Sequence, residues 1–316
     1  MIIMKKLFLL ASVLLPFSLM AQPAVSGQYT YTGAQVNLTE RAFKCEHVLK
    51  FQGAEKEGYQ GMDIWGDYVF SCQNSGWLTV YKIGDKGKIT RECEPFKLAS
   101  YNKVNHANVA SFSRTFFNKE DRFPLLYISQ CNRNPINGRK DVLYVERIAN
   151  DLKSSELVQT ICFKDVRHLY GYALQWVIDN DNNFLYGYGN TVDNTNPLNR
   201  HRIVKFRLPE LNEATDGIVT LTDDDLLENY LIEDTYQAPF NPIGQGLFIK
   251  NGQLFMPTGF GNEKYPSILY VWNLDTRSMQ NVIDLRDATF GELEDCASYK
   301  GDLFIQGQGD MFKLTF

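Results

Sequence analysis

One two-strand unit recurs five times along this chain, and no other feature restricts its fold as strongly. The first strand of each unit reads Asp67-Tyr68-Val69-Phe70, Leu125-Leu126-Tyr127-Ile128, Asn183-Phe184-Leu185-Tyr186, Gln253-Leu254-Phe255-Met256 and Asp302-Leu303-Phe304-Ile305. The partner strands are Leu78-Thr79-Val80-Tyr81, Val142-Leu143-Tyr144-Val145, Ile203-Val204-Lys205-Phe206, Ile268-Leu269-Tyr270-Val271 and Met311-Phe312-Lys313-Leu314. Alternating aromatic and aliphatic residues between turn residues mark half-buried strands, and a fixed recurrence marks a repeat architecture. Before each pair lies a short segment opening on small or polar residues, for example Gln60-Gly61-Met62-Asp63 and Gln245-Gly246-Leu247-Phe248. After it come outer-strand candidates such as Thr90–Phe96, Leu157–Phe163 and Asn281–Leu285. Four strands per unit arranged radially make a β-propeller, whose crowded innermost strand suits small residues.

The fifth unit ends at Phe316 without an outer strand. Cys45–Phe51 alternates as an edge strand does and precedes the first unit, so it is expected to pair beside the C-terminal strand and close a five-bladed ring. A sixth blade would have to come from Glu210–Pro242, but Leu221–Leu227, with three aspartates in a row, reads as a capped helical insertion. The expected organisation is therefore a targeting segment at 1–21, an extended arm at 22–44 and an all-β five-bladed propeller at 45–316.

Residues 1–21 carry Lys5 and Lys6, an apolar run from Leu7 to Leu15 and a short close at Ala21, the three-part pattern of a secretory signal peptide. The run is too short to span a bilayer, and no later segment is apolar enough to do so. Export to a periplasmic or extracellular space is expected. In an oxidising compartment the six cysteines (Cys45, Cys72, Cys93, Cys131, Cys162, Cys296) have two readings: buried small hydrophobes or one or more bridges. With 32 Lys+Arg against 37 Asp+Glu and 44% hydrophobic residues, the composition excludes both a disordered chain and a nucleic-acid binder driven by overall charge.

The expected topology puts the long loops on one face: 131–141, 164–172, 188–201, 233–243 and 258–267. Long loops on a rigid scaffold are where binding resides. At the inner-strand starts, Gln60, Asp63, His106, Asn108, Gln175, Gln245, Glu294 and Asp295 form an expected polar ring in the channel. Such a ring serves either as a hydrated structural plug or as a ligand site. His106, Tyr172, Asp63 and Glu294 are the candidate acids and bases. His106, Asn108, Arg133, Arg139, Arg167, His168, Tyr172 and Gln245 are the candidate ligand contacts. Loop rings such as Trp77, Tyr101, Tyr170, Tyr236, Phe260, Tyr265 and Phe290 can stack on sugar faces, and the basic residues of blades 2 and 3 favour an anionic sugar. A His106/His168/His201 cluster matches no metal-ligand spacing, so neither metal nor cofactor is expected. Asp179–Asn183 opens like a calcium loop but has Phe184 where glycine is required, and reads as a hairpin turn.

In architecture the chain resembles the five-bladed propeller glycosidases and lectins. That resemblance implies a carbohydrate ligand at the channel mouth, with three acids on successive inner strands in the enzymes. Here blade 2 offers His106 and Asn108 and blade 3 offers Gln175 instead of acids. Binding of a carbohydrate, hydrolysis or lysis of a glycan, and docking of another protein on the loop face remain three open readings.

Overall fold

The structure, a computed structural model, describes residues 43–131, 135, 138–139, 141–289 and 291–316. The expected targeting segment, most of the arm, Arg133 and Phe290 lie outside these residues.

Five sheets, antiparallel apart from one added strand, form the blades of a propeller. Blade 1 comprises Tyr59–Trp65, Tyr68–Gln73, Trp77–Ile83 and an outer edge split into Ile89–Arg91 and Phe96–Lys97. Blade 2 comprises Val109–Phe112, Leu126–Ser129, Leu143–Ile148 and Ser155–Lys164. Blade 3 comprises Tyr172–Asp179, Phe184–Asn190, His201–Arg207 and Glu228–Leu231. Blade 4 runs Phe248–Lys250, Gln253–Thr258, Ile268–Asn273 and Ser278–Asp284, and blade 5 runs Leu293–Tyr299, Asp302–Gly307 and Asp310–Thr315.

The outer strand of blade 5 is Lys44–Lys50, paired antiparallel with Asp310–Thr315. The register sets Cys45 opposite Leu314 and His47 opposite Phe312, and the Phe51 N–H continues the ladder to the Gly309 carbonyl. The two ends of the domain thus meet in one sheet, and the ring closes through backbone hydrogen bonds.

The segment 210–242 departs from the helical expectation. Ile218–Thr222 is a strand that pairs parallel with Thr160–Lys164, adding a fifth strand to blade 2. Glu228–Leu231 crosses to become the outer strand of blade 3. Asp223–Asp225 forms only a three-residue 3-10 turn between them: the Thr222 side chain accepts from the Asp224 N–H, and the Asp225 carboxylate accepts from the Thr222 N–H. The β-branched Ile218-Val219-Thr220 run found a free sheet edge, which outweighed the capping signal. One segment stitches blades 2 and 3 together.

Five apolar clusters hold the blades face to face. Phe70, Leu78, Phe112 and Ile128 join blades 1 and 2; Tyr127, Trp176 and Phe206 join blades 2 and 3. Tyr186, Met256 and Trp272 join blades 3 and 4; Leu269, Leu293 and Ile305 join blades 4 and 5; Met62, Tyr81 and Met311 join blades 5 and 1. All six cysteine thiols are free; Cys72, Cys162 and Cys296 are buried among these contacts and Cys131 is buried outside them.

The inner strands approach so closely that side chains are excluded at two positions. A Cβ on Gly246 would stand 2.3 Å from the Glu294 carbonyl oxygen, and one on Gly61 would stand 2.6 Å from the Ala110 nitrogen. Both obstacles are backbone, which has little room to give. Gly246→Ala is expected to lower stability by about 1–3 kcal/mol, the usual cost of overpacking. Gly84→Ala, whose added methyl meets only the Lys88 carbonyl at 3.4 Å, should leave the urea midpoint nearly unchanged. Equal midpoints for the two variants would contradict this account of the axis.

Candidate functional site

The channel is organised by one carboxylate. Asp295 Oδ2 accepts from the N–H groups of Met62 (2.8 Å) and Ala110 (3.2 Å), and Oδ1 accepts from those of Leu247 (3.1 Å) and Cys296 (2.9 Å). These donors come from blades 1, 2, 4 and 5, so the four residues share one level of the channel. Two positions earlier, toward the long-loop face, stand Gln60, Asn108, Gln245 and Glu294, with the strand register of blades 1 and 5 shifting at Gln60 and Glu294.

Gln175 of blade 3 completes that upper ring, its Nε2 donating to the Gly244 carbonyl at 3.0 Å. Asn108 Nδ2 crosses the channel to the Gln245 carbonyl at 2.8 Å. Gln245 Nε2 donates to Glu292 and to the Gly259 carbonyl. Gln306 Nε2 donates to the Gln60 carbonyl and Gln306 Oε1 accepts from Ser71, so a second-strand side chain braces the same level. The side chains of Gln60, Asn108, Gln175 and Glu294 are all buried.

Below the ring, Asp63 Oδ2 accepts from the Phe112 N–H and Oδ1 from the Ile64 N–H, both at 2.7 Å. It ties blade 1 to blade 2, and both of its oxygens are occupied by the frame. Burial pushes the Asp63 carboxyl up to about 7, against the pull of those two N–H groups. Burial also holds Asp295 and Glu294 well above the ordinary carboxylate range; at Glu294 the neighbouring charges of Glu292 and Asp295 add to it.

His106 stands ahead of the inner strand of blade 2, against a turn of blade 1. His106 Nδ1 meets Asn74 Oδ1 at 2.8 Å, and its backbone N–H donates to the Gln130 carbonyl. Because an amide oxygen only accepts, Nδ1 carries the proton and Nε2 is left as an acceptor. Burial lowers the His106 pKa, which keeps the ring neutral. The turn that carries Asn74 is bonded to the next blade through Ser75 N–H to the Asn105 carbonyl and Asn102 N–H to the Ser75 carbonyl. Trp77 and Tyr101 stand next to that turn with ring centroids 6.1 Å apart in an edge-on pair, Lys97 lying over both. Phe260 and Tyr265 form a second edge-on pair on the 258–267 loop of blade 4.

Other residues singled out in the sequence stand elsewhere. Arg139 lines a recess with Tyr144, Gln159 and Ile218 on the outer flank of blade 2. Arg167 is 62% exposed; its N–H donates to Asp223 and its guanidinium lies 3.9 Å from the same carboxylate, on the insertion at the blade edge. His168 is exposed with a left-handed φ of 54°. His201 is buried, its Nδ1 2.7 Å from Glu233 and its ring between Tyr188 and Phe240. The three histidines therefore stand in three different settings, and no group of three or more His, Cys, Asp or Glu with metal-holding geometry occurs among the described residues. Tyr172 opens the inner strand of blade 3, half-buried opposite Asn190. Tyr170 is a core residue whose hydroxyl donates to the Gly187 carbonyl. Asp179 accepts from the Asp181 and Asn182 N–H groups, making 179–183 the expected hairpin turn.

Sequence reasoning passed over Asn74 and Glu292. Asn74 sits in one of the shortest connections on the loop face, where loop length gives no signal. Glu292 lies in a Gly-Glu-Leu-Glu-Asp run whose inner-strand phase is set only by the Asp295 contacts.

The Asp63 environment has a consequence for stability. Its carboxyl titrates at about 3.8 when unfolded and about 7 when folded, so the folded state holds a proton across that window. Its stabilisation is complete below pH about 4 and is lost as pH rises through about 7. Urea unfolding of Asp63→Asn should show a flatter stability profile than wild type between those limits; superimposable slopes would contradict it.

No family model and no curated protein matches the chain. Among solved structures, the tail fiber of Staphylococcus aureus phage P68 is similar with a TM-score of 0.48 and 11% identity, over 86% of this chain and 52% of that one. The chain spans about half the length of that fiber chain. A nidogen/laminin complex is similar with a TM-score of 0.40 and 8% identity, over 84% of each chain. An oxidoreductase of Thermus thermophilus described as a glucose dehydrogenase is similar with a TM-score of 0.45 and 11% identity, over 87% of this chain and 100% of that one.

Proposed function

We propose that this propeller is an exported binding protein that holds a carbohydrate at the channel mouth on its long-loop face. The observation that carries the reading is the Trp77/Tyr101 pair beside the Asn74–His106 contact. Aromatic rings offer an apolar face to the C–H side of a sugar, while a neutral imidazole and side-chain amides exchange hydrogen bonds with its hydroxyls. Glu292, which accepts from Gln245, adds a carboxylate acceptor at the same level.

Charge favours a neutral sugar over the anionic one that the basic residues of blades 2 and 3 suggest. Arg139 stands on the outer flank and Arg167 beside Asp223, whereas Glu292, Glu294, Asp295 and Asp63 surround the channel. Lys97, over the Trp77 and Tyr101 rings, is the cation beside this pair, set against the acidic groups around the channel.

The test is retention of purified protein on a panel of neutral and acidic polysaccharides, with product analysis of the eluates. Retention on a neutral glycan is expected, unchanged by high salt and by Arg167→Ala, and weakened about tenfold by Trp77→Ala, as loss of a stacking ring implies. Retention on acidic glycans alone, abolished by salt, would overturn the neutral assignment. Released product would move the reading to a glycan hydrolase or lyase, and absence of both retention and product on every glycan would move it to a protein-docking module.

A further inference from the structure

One connection of the propeller is longer than the fold requires. The turn from inner to second strand is 66–67 in blade 1, 180–183 in blade 3, 251–252 in blade 4 and 300–301 in blade 5, but 113–125 in blade 2. It lies on the face away from the long loops. Its tip is braced: Asp121 Oδ2 accepts from the Asn118 N–H at 2.9 Å, Arg147 Nη2 meets Asp121 Oδ1 at 2.8 Å, and Asn150 Oδ1 accepts from the Arg122 N–H at 2.7 Å while its Nδ2 donates to the Glu120 carbonyl. This frame presents two consecutive rings to water, Phe116 at 41% exposure and Phe117 at 40%. Phe116 stands edge-on to Trp65 with centroids 6.0 Å apart, and the Arg147 guanidinium lies 5.2 Å from the Phe117 centroid. The rings thus form a strip from the inner strand of blade 1 to the third strand of blade 2. A braced insertion that keeps adjacent phenylalanines in water marks a contact surface.

We propose that this strip is the centre of a two-fold interface with a second copy of the chain. The charges beside the rings decide the occupant. Arg114 pairs with Asp181 at 2.6 Å, Arg147 pairs with Asp121 and with Glu156 at 3.2 Å, and the exposed Lys119 and Glu120 are neighbours at the tip. Arg122 lies over the Tyr68 ring. Both signs therefore flank the strip in near balance. An anionic lipid surface or a strongly acidic partner would draw on an excess of cations, which the described residues do not provide here. A second copy turned about a two-fold axis brings the same mixture in reversed order, so that Lys119 of one copy can face a carboxylate of the other while the phenylalanines meet at the centre. Aromatic rings and arginine are enriched in interface cores, and a pre-formed loop has little ordering entropy to lose on docking.

The pairing leaves the long-loop face of both copies free, so it is independent of the glycan reading. Its test is the association state of the purified protein. Sedimentation velocity over a hundredfold range of concentration should show a monomer–dimer equilibrium. Phe116→Ser and Phe117→Ser together should weaken dimerisation at least tenfold, as loss of central ring contacts does, with the circular dichroism spectrum unchanged because both rings are already part-exposed. Asn118→Cys, on the exposed tip, should give a covalent dimer on mild oxidation, whereas wild type and Asn212→Cys, on an exposed turn at 211–213, should not. A monomer at every concentration would overturn the proposal, and capture of that monomer on phosphatidylglycerol vesicles, lost with the two phenylalanines, would assign the strip to a lipid surface instead. A dimer that survives the phenylalanine substitutions and does not cross-link at position 118 would place the interface elsewhere and equally overturn it.

Discussion

Four backbone N–H groups converge on the Asp295 carboxylate, and the geometry of the channel depends on that convergence. Inner propeller strands have no neighbour on the axis side, so their N–H groups would otherwise stay unpaired where water has little access. A carboxylate has two oxygens with room for about four donors, and here all four come from different blades. The closeness of approach follows: Gly246 packs against the main chain of residue 294 because Leu247 must reach Asp295. Asp63 repeats the device one level below, taking N–H groups from Ile64 and Phe112.

The same arrangement sets the electrostatics. Burial away from water holds the Glu294 and Asp63 carboxyls above the usual carboxylate range, and at Glu294 the charges of Glu292 and Asp295 add to it. Among the described residues, Arg139 and Arg167 do not offset this charge. Arg167 meets Asp223 at the blade edge, and Arg139 lies on the outer flank. Neither of these two cations is focused on the axis.

Closure and stitching act at the perimeter. Lys44–Lys50 pairs with the last strand, so separation of blades 5 and 1 would require breaking a ladder as well as the Met62, Tyr81 and Met311 contacts. Residues 218–231 serve both blade 2 and blade 3, with a parallel pairing on one side and an antiparallel one on the other. That parallel strand is the feature least like a simple repeat.

The fivefold alternation determined the blade count and the closing strand, because each depends on a period of two within a strand and on turn residues between strands. It also located the polar residues at the starts of the inner strands. What the alternation could not decide was which of them serve the frame and which are left with open acceptors. Asp63, Asp295 and Glu294 look alike in sequence, yet two are filled by backbone N–H groups from other blades while Glu294 stands beside Glu292. His106 and His201 likewise read alike, but one stands against the Asn74 turn of blade 1 and the other is a core residue held by Glu233. The fate of 218–231 was equally hidden, since three aspartates cap a helix as readily as a turn and only the free edge of blade 2 drew Ile218–Thr222 into a sheet. Contacts between residues far apart in the chain decide these roles, and they exist only once the ring has closed.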